Sequence, residues 1–188
     1  MLFQALSVFL HTGTGTSGAI EGFLHPLLGT DHLLAMLTVG LLSAQLGGRA
    51  IWTVPVTFVS VMALGGLAGI FGLQLPFVEY GIAFSVIVLG IALLARRRVP
   101  EAVAMLFVGF FAMFHGHAHG AEIPKATGGS MFILAYVLGF LTATAGLHVI
   151  GAILGYIALR TERGANVLRV SGIVIAALGV FILINTLP

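Results

Sequence analysis

Six times along this chain an apolar run of about twenty residues gives way to a short polar or glycine-rich link, and that length is what a helix needs to cross a bilayer. In lipid the backbone must satisfy its own hydrogen bonds, so runs of this kind fold as helices packed side by side. The predicted spans lie at about 26–46, 51–72, 76–95, 100–118, 130–158 and 167–187. The expected fold is all-α, a polytopic membrane helix bundle of six transmembrane helices in a single integral membrane domain over residues 1–188. The fifth run is long enough to tilt, or to break near Gly146. Composition agrees: 59% of the residues are hydrophobic and 7% charged, whereas a soluble domain is about a quarter charged. Pro26, Pro76 and Pro100 fall near helix first turns, where a missing N–H costs nothing.

The 26 glycines are too many for helices in water, but small residues let helix backbones approach closely in a membrane. Gly65 to Gly69 and Gly151 to Gly155 read as such contact faces. The net charge of +2 matters less than where the basic residues sit. Arg49, Arg96, Arg97, Arg98, Arg160, Arg163 and Arg169 all fall in or beside links on one side, and Lys125 on the other. The positive-inside rule then puts both termini on the non-cytoplasmic side. No nucleic-acid partner is implied; the lipid bilayer is one. Residues 1–10 are too few to span and lack the basic start of a standard signal peptide, so they read as a signal remnant or an amphipathic lead-in. His11 to Gly22 reads as a loop.

Charge within such apolar runs is a functional signal, since the bilayer offers it neither water nor counter-ions. Two clusters break the pattern, HPLLGTDHLLAM from His25 to Met36 and FHGHAHGAE from Phe114 to Glu122. On one helix His25, Gly29, His32 and Met36 would form a single stripe, with Gly29 keeping it narrow and Asp31 pointing about 100° away from His32. His115 and His119, four residues apart, share a helical face and can share a metal. Glu122 adds an anionic oxygen if the helix continues past Gly120. His117 faces elsewhere, or reaches in if the glycines unwind the turn. His148 reads either as a deeper way-station or as a group bonded to a neighbouring helix, and Met36 either as core or as ligand. The first and fourth spans run in opposite directions, so both clusters meet at one membrane face. Glu21, Asp31, Glu79 and Glu122 fall at or near that outer face.

Imidazole with carboxylate suits nickel, cobalt and zinc, and the absence of cysteine removes any thiolate site for copper(I). The ion is expected as the substrate, with Ni²⁺, Co²⁺ and Zn²⁺ all suited to these ligands, and no resident cofactor is expected. The carboxyl end of the fourth span carries partial negative charge that favours a cation. Because neutral imidazole binds metal and imidazolium does not, uptake is expected to fail below about pH 6.5.

At these residues the chain resembles the HupE/UreJ family of bacterial nickel/cobalt permeases. That family's first motif has the form HPxxGxDHxLAMxxVGL, matched by HPLLGTDHLLAMLTVGL from His25 to Leu41. Its second, FHGxAHGxExP, is matched by FHGHAHGAEIP from Phe114 to Pro124. The resemblance implies passage of Ni²⁺ or Co²⁺ through the bacterial inner membrane toward nickel enzymes. It carries His25, Asp31, His32, His119 and Glu122 over as essential residues, with His115 as helper. Family members begin after a signal peptide with an HTG-like start, which His11-Thr12-Gly13 fits.

Two other classes compete with a permease. An intramembrane zinc hydrolase would need three ligands, an open fourth position and a nearby acid or base; the histidines permit it, but no serine stands close to them in sequence. A metal sensor or binding partner would bind without flux. The chain shows no P-loop and no large aqueous segment for ATP use, and a divalent ion entering the cell gains about 4.6 kcal/mol per 100 mV.

Overall fold

A computed structural model describes residues 15–95, 99–123 and 129–187. Among these, the chain forms seven helices: α1 (Gly15–Leu28), α2 (Thr30–Leu46), α3 (Ala50–Ile70), α4 (Val78–Ala95), α5 (Glu101–Glu122), α6 (Gly129–Ala158) and α7 (Glu162–Thr186). The last five are each long and apolar enough to cross a membrane, and α1 with α2 passes the same test only as a bent pair, a broken span or a re-entrant loop, so the described residues hold five or six candidate spans. The chain is thus a polytopic helical membrane bundle. The expected lead-in at residues 1–10, His11, Arg96 to Arg98 and Lys125 lie outside the described residues.

The first span departs from expectation. Instead of one helix over 26–46, the chain turns by 81° between Leu28 and Thr30. Pro26 lies within α1, which continues to Leu28, and the break comes at Gly29, which leaves the helical region for an extended conformation (φ −80°, ψ 113°) as N-cap of α2. His25, Gly29, His32 and Met36 therefore do not form one stripe, and Gly29 sits at the corner rather than within a face. The stretch from Gly15 to Gly22, expected as loop, is the start of α1. Packing overrides weak propensity here: a Cβ at Gly18 would stand 2.7 Å from the Phe132 carbonyl oxygen, and one at Gly22 would overlap the Tyr136 carbonyl. Only glycine lets α1 lie this close to α6.

Glycine builds the other seams in the same way. On α2, Gly40 meets the backbone at His148 and Gly151, and Gly155 lies against Leu41 and Ala44, so α2 packs on the later half of α6 as α1 packs on the earlier half. Helix α6 runs 30 residues without a break at Gly146, beside which there is open space. Gly65 and Gly69 of α3 meet Met113, His117 and Ala121, while Cβ atoms at Gly116 and Gly120 would overlap the carbonyls of Met62 and Gly66. That interlock carries α5 to Glu122, beyond its predicted end at residue 118. Gly90 and Gly172 do the same between α4 and α7.

Helix α2 lies centrally, with Met36 and Val39 fully buried against Val54, Phe58 and Met62 of α3 and Val86 of α4. Trp52, Leu64, Phe107, Phe110 and Phe181 face outward, as lipid contact requires.

Candidate metal site

The end of α5 is where the two clusters meet. His115, His119 and Glu122 succeed one another up a single face, spaced by four and three residues. The 81° corner brings His25 from the last turn of α1 and His32 from the first turn of α2 against them.

His25 Nε2 lies 3.1 Å from Glu122 Oε2, both partly exposed. The His119 ring stands between His25 (ring centroids 4.7 Å apart) and His32 (4.3 Å), and packs on Phe140 at 4.0 Å. One ligand atom from each of His25, His119 and Glu122 can be chosen so that all lie within 4.8 Å of one another. Two imidazoles and a carboxylate at that separation can close on a divalent ion with small rotamer changes. Below them His32 meets His115, edge to face at 4.8 Å.

Asp31 does not point away from His32. Its Oδ1 lies 2.8 Å from both the backbone N and the Nδ1 of His32. In a helix first turn the backbone N–H groups lack intrahelical partners, so the carboxylate folds back onto the nearest donors. A carboxylate only accepts, so His32 carries its proton on Nδ1 and offers Nε2 to the site. This is the usual arrangement of a metal-binding imidazole and its outer-shell carboxylate.

The remaining expected residues lie elsewhere. His117 sits on another face of α5, where its Nε2–H donates to the Leu73 carbonyl at 2.6 Å; the helix does not unwind to bring it in. His148, 1% exposed, is 5.0 Å from the Phe58 ring, whose other neighbour is His115 at 5.6 Å. Phe58 thus lies against both the cluster and His148. Met36 is core: its sulfur accepts from the Thr144 hydroxyl at 3.3 Å, and Met62 approaches the same hydroxyl at 4.0 Å.

His32 Nε2, His115 Nδ1 and both ring nitrogens of His119 and His148 are buried without a hydrogen-bond partner among the described residues. Orphaned polar atoms of this kind are costly, and imidazole nitrogens left open in this number fit a cation site. Sequence reading missed Ser85, Phe58, Tyr136 and Phe140. Ser85 lies 2.9 Å from His115 Nε2, and its only signal was a lone hydroxyl in an apolar run.

Fold and site together define a polytopic helical membrane protein with a partly buried histidine–carboxylate cluster near one end of its bundle. The profile of the HupE / UreJ protein family matches residues 1–182, and the chain belongs to that family, which is associated with nickel and cobalt transport. It is 43% identical to Protein HupE of Rhizobium leguminosarum bv. viciae over 176 residues, covering 93% of this chain and 89% of that protein. No solved structure matches.

Proposed function

We propose that this chain is a permease that passes Ni²⁺, or Co²⁺, from the periplasmic side across the bacterial inner membrane. The observation that carries the reading is the convergence of His25, His119 and Glu122 donor atoms within 4.8 Å, above a layer of buried imidazole nitrogens. The ion enters at this mouth, exchanging hydration for nitrogen and oxygen ligands, and moves inward past His32 and His115. His148, beyond Phe58, is the next imidazole on the route. The membrane potential is the driving force. The positions of Arg49, Arg160, Arg163 and Arg169 support a cytoplasmic side opposite the mouth, with both chain termini outside. Acidification slows uptake, because protons compete for the same lone pairs.

The family is a transporter family, which weighs against the hydrolase reading, whose nucleophile would be a metal-activated water. Ser85 does touch His115, but its hydroxyl lies 2.6 Å from the Ile82 carbonyl, so the imidazole donates to the serine rather than taking its proton. The test is purified protein in liposomes with a nickel-responsive dye inside. Wild type loads the vesicles, and equal loading by His32→Ala would end the permease reading.

A further inference from the structure

Ser85 is fully buried partway along α4, with its Oγ 2.6 Å from the Ile82 carbonyl oxygen and 2.9 Å from His115 Nε2. A hydroxyl has one proton and two lone pairs. Two oxygens this close repel unless a proton lies between them, and a carbonyl only accepts. The Ser85 proton therefore points to Ile82. What remains toward His115 is a lone pair, so His115 Nε2 must carry the hydrogen and donate it. A neutral imidazole protonated on Nε2 has its own lone pair on Nδ1, and His115 Nδ1 is buried without a partner among the described residues.

His32 reaches a similar condition by the opposite nitrogen. Asp31 holds a proton on its Nδ1 and leaves Nε2 buried and unpartnered. The two rings stand 4.8 Å apart at 89°, and His119, with both nitrogens unpartnered, is 4.3 Å from His32. Two rings on different helices thus each have one nitrogen tied to an oxygen acceptor and the other left open.

We propose that Ser85 is a positioning residue of an inner metal station, formed by His32 Nε2 and His115 Nδ1, through which the ion passes after the His25–His119–Glu122 mouth. The inference rests on the permease reading. His119, whose ring lies beside both His25 and His32, stands between the mouth and this station. The inner station has no carboxylate among its ligands, so it holds a divalent cation less tightly than the mouth does. Conduction requires that property, since a site must be left as readily as it is entered.

The test is nitrogen-15 NMR of histidine-labelled full-length protein in lipid bilayers, with Zn²⁺ as the diamagnetic probe and His32→Gln and His115→Gln spectra for assignment. Wild-type His115 is expected as the Nε2–H tautomer, and Zn²⁺ is expected to shift its Nδ1 together with His32 Nε2. In Ser85→Ala the single His115 tautomer is lost. Its saturated Ni²⁺ flux in liposomes falls about tenfold, at the low end of the range for outer-shell partners, while the half-saturating concentration stays within about twofold. Ser85→Thr keeps the hydroxyl and restores both tautomer and flux. A wild-type His115 protonated on Nδ1, or a Ser85→Ala protein with wild-type tautomer and flux, overturns the proposal. Zn²⁺ shifts at His25 and His119 without shifts at His32 and His115 also sink it while leaving the mouth intact. No shift at His25 and no flux would instead remove the permease reading itself.

Discussion

His115, His119 and Glu122 arrive at the site on one unbroken helix, whereas His25 and His32 arrive on two helices set 81° apart. The continuous half is rigid: α5 is locked to α3 by backbone contacts at Gly116 and Gly120 too close for any side chain. The broken half is aimed by a corner, and its ligands are correct only if that corner holds its angle. One half supplies a fixed ladder of donors, and the other closes a second wall over it.

Breaking the rigid half should have the largest effect. Gly116→Leu would drive a side chain into the Met62 carbonyl and the Gly66 backbone, and it is expected to leave no monodisperse protein in mild detergent by size-exclusion chromatography. Gly146→Leu, with open space at its Cβ, is the matched control and should behave as wild type. Next comes His119, which touches both halves. His119→Ala should cut nickel flux into liposomes by about 100-fold, at least the upper range seen for outer-shell partners alone. Glu122→Gln keeps the shape of the mouth but removes its anion. The half-saturating Ni²⁺ concentration should rise about tenfold, a change worth roughly 1.4 kcal/mol, with the maximal rate little altered.

The smallest effect tests the corner itself. A Cβ at Gly29 would stand 3.2 Å from Asp31 Oδ1 and 3.3 Å from His32 Nδ1, so Gly29→Ala must push that pair aside by a few tenths of an ångström. Flux should fall about threefold, since a full 1 Å misplacement costs about 100-fold. An unchanged rate would mean that the broken half tolerates slack and that the comparison between the halves has less force than its geometry implies.

The same contrast explains what could be read from the sequence. The spacing of His115, His119 and Glu122 was legible because an unbroken helix turns spacing directly into geometry. Residues 26–46 misled because a uniform 3.6-residue period was carried through Gly29, where it fails. The helix from Gly15 was hidden by composition: Gly18 and Gly22 look like loop residues until Phe132 and Tyr136 stand beside them. Ser85 was invisible for a related reason, since a lone hydroxyl gains meaning only from the imidazole it meets, thirty positions away in the chain.

Helix α6 supports α1 along its earlier half and α2 along its later half, and it also carries Thr144 and His148. A swing of α1 that parts His25 from Glu122 must shear the seams at Gly18 and Gly22 or pull on α6 as a lever. In the second case the pull reaches Gly40 and Gly151, beside His148. His25 and the neighbourhood of His148 are then joined by a single strut, and movement at one is felt at the other without any intervening relay.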